Sequence, residues 1–284
     1  MIDLHTHSKA SDGHLSPKEL VSYAAEKNIS VLALTDHDTT DGLWEAQEAA
    51  KDIQFVPGIE LNIDWPTGEF HLLGLGLNST APSLKKIITD LKEQRQERNK
   101  SIITKMQAEG FDISQEAVIQ RFPHATLGRP HIAAYLVEKK YCKTLQQAFD
   151  KYLGKGRPFY VHRAGADLSQ SIEAIKESGG VPVLAHPLSL YVSWGKMYPL
   201  LEELKNQGIE GLEAYHPGAR ISEGQRLEEM GHRLGFFITG GSDFHGEAVR
   251  KDRKMGYGTR GLKLEDRLWT EELLPHINLT PYEP

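Results

Sequence analysis

The 284-residue sequence reads as an α/β protein, a parallel sheet or barrel covered by helices and interrupted by a helical insertion. Three observations lead there. Short apolar runs alternate with helical patterns in the first hundred residues, which is the βαβ rhythm of a parallel sheet. That rhythm stops between roughly 100 and 160 and resumes near 168. Nearly every predicted strand ends in histidine, aspartate or glutamate, as in barrel-like folds that assemble their sites at one end of the strands.

Taken in order, "MIDLHTH" reads as a strand. "SPKELVSYAAEKN" reads as a helix with Ser16 as N-cap, Pro17 at the first position and Glu19 completing a capping box. "ISVLALTDHD" is a buried strand with a polar end, and "TDGLWEAQEAAK" is a helix. "IQFVPGIELNI" and "EFHLLGLGL" are further strands, and residues 82–108 form one long charged helix. "RPHIAAYLVEKK" and "TLQQAFDKYLG" are helical. Then "LSQSIEAIKESGG", "YPLLEELKNQG" and "ISEGQRLEEMGHRLG" read as helices alternating with the strands "VPVLAHP", "IEGLEAYHP" and "FFITGGSDFHG"; the tail from about 250 is irregular. Tyr23 and Trp44 fall on apolar helix faces and are expected in the core.

Composition narrows the function. A formal net charge of −6 argues against a broad basic face for duplex DNA. Cys142 is the single cysteine, so an intramolecular disulfide and a cysteine-based zinc site are both excluded. Cys142 is expected to be structural. A reducing cytoplasm is expected, with no signal peptide at the start and no stretch of transmembrane length, hence no membrane partner. The 13 histidines are the anomaly. A metal held without cysteine needs His, Asp and Glu, a donor set that suits Zn, Mn, Fe or Mg.

The polar strand ends are His5 and His7; Asp36, His37 and Asp38; Glu60 and His71; His186; Glu213 and His216; Asp243 and His245. In "HTH", the two histidines are two apart on a strand and face one side, where they can share an ion. "SDFH" repeats that spacing with Asp243 and His245, and Asp12 can fold back from the following loop. Asp36 and Asp38 can orient His37, support that metal-bound histidines need. His14, His124, His232 and His276 are expected at the surface.

The ordered set "HTH…D", "TDHD", "GIE", "FHLLG", "AHP" and "SDFH" closely resembles the PHP family, the polymerase and histidinol phosphatase superfamily, over most of the chain. Within it, "GRPHIA" and "GKGRPFYV" look most like the bacterial group that hydrolyses 3′,5′-nucleoside bisphosphates or trims short RNAs from the 5′ end. The resemblance implies a distorted (β/α)7 barrel from residues 1–99 and 161–284, with 100–160 as a helical insertion that caps the substrate. It implies two or three divalent ions: one on His5, His7, Glu60 and Asp243, a second on Glu60, His71 and His186, and a third on Asp12, His37 and His245. It gives Glu213 and His216 no ligand role, so they are left as substrate contacts or supports.

Three divalent ions against three carboxylates leave a positive site that attracts a phosphate ester. Metal coordination lowers the pKa of water from ~15.7 toward ~7, so the attacking hydroxide needs no separate base. In "GRPHIAAYL", Arg129 stands at a helix start, an anion-friendly position. Arg157, Lys155 and Arg163 lie in "KGRPFYVHR" beside Phe159 and Tyr160. A second phosphate on Arg129 and Arg157, with His131 and His216 as further substrate contacts, would select a doubly phosphorylated nucleotide or short single-stranded RNA. The alternatives are a phosphatase for another small ester, such as histidinol phosphate, and a non-catalytic PHP module.

Overall fold

The computed structural model describes residues 1–122, 127–162 and 164–284. They form two compact units, Met1–Ile88 with Gly165–Pro284, and Thr89–Ala164.

The first unit is the barrel. Its strands are β1 (Ile2–Asp3), β2 (Val31–Leu34), β3 (Gln54–Ile63), β4 (Phe70–Leu75), β5 (Val181–Leu184), β6 (Gly211–Tyr215) and β7 (Phe237–Gly240). They lie side by side in chain order. The first three pair in parallel, as do the last three, but β4 is antiparallel to both neighbours. The all-parallel expectation therefore fails at β4. Only residues 64–69 separate it from β3, far fewer than a parallel crossover needs, so the chain folds back as a hairpin. Beyond the short β1, the chain runs against the segment after β7. The His7 N–H donates to Phe244 O at 2.9 Å and the Asp243 N–H to His5 O at 2.9 Å, which nearly closes the barrel. Leu32, Leu34, Ile59, Leu61, Leu72, Leu184, Leu212 and Ile238 are fully buried, as expected of strands with both faces covered.

The helices of the first half are α1 (Pro17–Glu26) and α2 (Leu43–Ala49). In α1 the Glu19 N–H donates to Ser16 Oγ (3.3 Å) and the Ser16 N–H to Glu19 Oε2 (2.7 Å), closing the predicted capping box. Trp44 is 47% exposed, which corrects its expected place in the core: α2 is short and turns this ring outward. Tyr23 is half-buried and stacks on Phe244, with centroids 5.4 Å apart.

The long helix α3 (Pro82–Ala108) continues into the second unit, which adds α4 (Gln115–Arg121), α5 (Arg129–Glu138) and α6 (Leu145–Ala148). Its own core includes Ile102, Met106, Val118, Ile132, Leu136 and Leu153, with Cys142 buried among them. Back in the barrel unit, α7 (Leu168–Glu177), α8 (Trp194–Asn206) and α9 (Ile221–Leu234) alternate with the last strands. Among the described residues no helix is long and apolar enough to cross a membrane.

Candidate metal centre

The fold first explains how the barrel presents its histidines. His5 and His7 follow β1 and are fully buried. The Gly240–Gly241 pair lets the end of β7 press against them: a Cβ on Gly241 would lie 2.1 Å from that of His5. Glu60 lies within β3, and His71 near the start of β4 rather than at a strand's C-terminal end. Because β4 is antiparallel, its beginning lies at the end of the barrel where the parallel strands finish.

Glu60 is the hub. Its Oε1 is 2.8 Å from His71 Nδ1 and 3.0 Å from His186 Nε2. Its Oε2 is 2.9 Å from His37 Nδ1 and 3.3 Å from both His5 Nε2 and His7 Nε2. Asp243 Oδ1 lies 3.3 Å from His7 Nε2 and 3.7 Å from His5 Nε2. Asp12 Oδ1 is 3.2 Å from His245 Nε2. Around Glu60, three groups bring donor atoms within 4.8 Å of one another: His5, His7 and Glu60; His37, Glu60 and His71; and His7, Asp12, His37 and His245; a fourth among the described residues, Glu228, His232 and Glu272, includes the exposed His232 and none of these side chains. All nine residues named as ligands from the resemblance thus meet at one end of the barrel. His37 faces two of the groups, and His7 reaches the third as well as the first.

The donor atoms fit a cation better than they fit each other. Glu60 Oε2 is buried and accepts no hydrogen bond, despite three imidazole nitrogens within 3.3 Å. An unsatisfied buried carboxylate oxygen is costly. An ion ligated by these nitrogens and this oxygen removes the misfit, and the cysteine-free donor set suits Zn, Mn, Fe or Mg.

Electrostatics point the same way. Burial pushes the Glu60 carboxyl up, but His37, His71 and His5 together hold it well below its usual range. Burial likewise opposes ionisation of Asp12 and Asp243, and in both His245 leads the groups that hold the carboxyl well below its usual range. Burial, with His245 and His37 close by, lowers His7 to about 3, which keeps it neutral and able to ligate.

Two carboxylates brace this set. Glu213, on β6, is 2.9 Å from His5 Nδ1 through Oε1, and its Oε2 accepts the His186 N–H at 2.7 Å. His5 is thereby oriented with Nε2 toward Glu60. His186 has φ +27° and Asp243 has φ +53°, strained values for residues with side chains, of the kind that persist where surrounding contacts enforce them. Asp36 accepts from the Ser8 N–H (2.7 Å), Ser8 Oγ (2.6 Å) and Ser11 Oγ (2.5 Å). It anchors the loop that carries Asp12, a correction to its expected work on His37. Asp38 Oδ1 accepts the Asn62 N–H at 3.0 Å. His216 Nε2 sits 3.4 Å from Asp243 Oδ2.

The helical unit treats its polar residues differently. Arg129 opens α5 with its guanidinium 5.6 Å from the Tyr160 ring centre. His131 is buried, and its Nδ1 accepts the Gly128 N–H at 3.0 Å, which caps its own helix. Arg157 and Lys155 are exposed. Arg163 and His124 lie outside the described residues. His14 and His276 are exposed, and His232 is half-exposed against Glu272 at 2.9 Å. The sequence pattern gives Glu213 no single role and does not mark Arg250 and Arg253 near Asp243; a charge inside the apolar run "IEGLEAY" is the available signal for the first.

The barrel and its cluster are those of a metal-dependent phosphoesterase, a hydrolase. The PHP domain family model matches residues 3–177, and the chain belongs to that family. It is 34% identical to a 5′-3′ exoribonuclease of Haemophilus influenzae, covering 86% of this chain and 89% of that one. It is 32% identical to a 3′,5′-nucleoside bisphosphate phosphatase of Chromobacterium violaceum (86% and 87% covered). It is 31% identical to a phosphoribosyl 1,2-cyclic phosphate 1,2-diphosphodiesterase of Eggerthella lenta (87% and 95%). A solved Bifidobacterium adolescentis structure, named as a metal-dependent phosphoesterase, superposes with a TM-score of 0.85 at 27% identity over 98% of this chain and 96% of that one.

Proposed function

We propose that the chain hydrolyses a phosphate ester of a small nucleotide, namely a 3′,5′-nucleoside bisphosphate such as adenosine 3′,5′-bisphosphate, or the 5′ end of a short single-stranded RNA. The observation that carries this reading is Glu60, one buried carboxylate with five imidazoles within 3.3 Å. His5, His7, Glu60 and Asp243 would hold one divalent ion, Glu60, His71 and His186 a second, and Asp12, His37 and His245 a third, with Mn favoured. Bound there, the ions would supply Lewis acidity and lower the pKa of water.

The chain's own residues supply the rest. Glu60 turns one oxygen to each of two histidine groups and so holds them at a common distance. Glu213 and Asp36 fix His5 and the Asp12 loop. Arg129 and Arg157 are the groups for a second phosphate, with His216 as a further substrate contact. His131 is given to the helix cap instead. Duplex DNA is not a substrate in this reading, because the chain is acidic overall.

The test offers adenosine 3′,5′-bisphosphate, a 5′-phosphorylated oligoribonucleotide, histidinol phosphate and a cyclic phosphodiester to the Mn²⁺-loaded protein. Hydrolysis of a nucleotide substrate well above the other two supports the reading, and hydrolysis of neither nucleotide sinks it. A protein that takes up no metal and hydrolyses nothing is a non-catalytic module. Arg129→Ala is expected to raise KM for the bisphosphate more than for a generic monoester.

A further inference from the structure

The segment after β7 carries four basic residues in five positions, "RKDRK" from Arg250 to Lys254. Two of them reach Asp243. That carboxylate divides its surroundings: Oδ1 faces His7, His5 and His245, while Oδ2 faces His216 Nε2 at 3.4 Å, Arg250 Nη1 at 3.5 Å and Arg253 Nε at 4.0 Å. Arg253 is only 7% exposed, and its Nε has no hydrogen-bond partner. Its other carboxylate neighbour is Asp252, 3.5 Å away and itself mostly exposed. Arg250 lies nearer solvent, its side chain 39% exposed.

The two arginine contacts to Asp243 are long ion pairs, not hydrogen bonds. A guanidinium presents five donors in a fixed fork, and burying one without acceptors is expensive. Cations ligated by Asp243 would draw on the same carboxylate and leave both arginines with the exposed Asp252, 3.5 Å from each, as their other counter-charge. The loaded centre would therefore present clustered positive charge on the outer face of Asp243, and a phosphoryl group matches the arginine fork.

We propose that Arg250 and Arg253, with His216, form an anion subsite on the outer face of Asp243 that binds a phosphoryl oxygen of the ester being hydrolysed. The inference rests on the phosphoesterase reading. It differs from the role given to Arg129 and Arg157, because it serves the reacting phosphate and so applies to mono- and bisphosphates alike.

The test titrates inorganic phosphate calorimetrically into Mn²⁺-loaded wild type, Arg250→Ala and Arg253→Lys, with metal content measured in the same samples. Arg250→Ala removes a side chain that is 39% exposed, and Arg253→Lys keeps the buried charge but loses the fork, so both should fold. The expected result is phosphate binding weakened by about tenfold in each, at unchanged metal content, with KM raised equally for a nucleoside monophosphate and bisphosphate. Unchanged phosphate affinity in both variants overturns the subsite, as does a loss that merely follows loss of metal. A wild type that binds phosphate in this arginine-dependent way but hydrolyses no nucleotide sinks the functional reading and leaves the subsite standing.

Discussion

The barrel and the helical unit both gather histidine and arginine, and they handle them in opposite ways. In the barrel, strands far apart in sequence deliver five imidazoles to Glu60, one of whose oxygens is left without a hydrogen bond. In the helical unit, His131 finds its partner three residues back at the Gly128 N–H, and Arg129 lies over Tyr160. A residue type that looks functional in sequence is partnered by its near neighbours in one unit and gathered around a distant shared carboxylate in the other. Satisfaction by near neighbours is what separates a structural histidine from a candidate ligand.

The largest expected effect strikes the hub. Glu60→Gln keeps the shape and removes the charge that both ion groups share. Supporting residues around metal sites cost about 10–100-fold when lost, so the hub itself should cost more than about 100-fold in activity, with metal content falling in parallel. Turnover and elemental analysis check this, and a variant that stays loaded and active breaks the contrast between the units. Next comes Glu213→Ala, which frees His5 Nδ1 and the strained His186 backbone together. A loss of about 10–100-fold in metal affinity or activity is expected, read by Mn²⁺ titration. Glu213→Gln, which still offers one acceptor oxygen, should recover part of it.

The third prediction concerns pH. Burial opposes protonation of His5, His186 and His245, but Glu213 and Glu60 raise His5, Glu60 raises His186, and Asp12 and Asp243 raise His245. In the metal-free protein their folded pKa values lie above the unfolded one of about 6.5. The folded state then binds more protons, so this contribution is complete below about pH 6.5 and is lost as pH rises through the folded values. The carboxylates of Glu60, Asp12 and Asp243 are depressed, so their contribution is lost as pH falls below about 4. His7 and His216 are lowered instead, chiefly by burial, and oppose the three raised histidines below about pH 6.5, so metal-free protein should show only a shallow stability maximum between about pH 4 and 6.5, whereas apparent metal affinity should increase with pH as the imidazole protons leave. Thermal melts with and without Mn²⁺ across pH check both slopes, and parallel curves would sink the prediction.

Much of this was legible in sequence because strand ends and apolar runs are local signals. All seven strands and the long helix appear where the pattern put them. The reversal of β4 is encoded in the short 64–69 linker, but strand rhythm carries no direction. The role of Glu213 does not show in the pattern because its partners, His5 and the His186 backbone, come from other strands. Arg253 lies in an irregular segment with no periodicity to say which side chain turns inward. Trp44 departs for the opposite reason: an apolar helix face does not guarantee something to pack against.

The smallest effect sharpens the comparison from the other side. If His131 serves its helix, His131→Ala should lower stability by about 1 kcal/mol, the usual worth of a lost helix cap. It should do so without changing KM for the bisphosphate. His131→Gln restores an acceptor at the third helical position, where glutamine completes capping boxes, and should rescue most of the loss. Denaturant melts with the KM measured on the same preparations decide it. A raised KM at unchanged stability would return His131 to the substrate and erase the distinction between a histidine that caps its own helix and histidines gathered around one carboxylate.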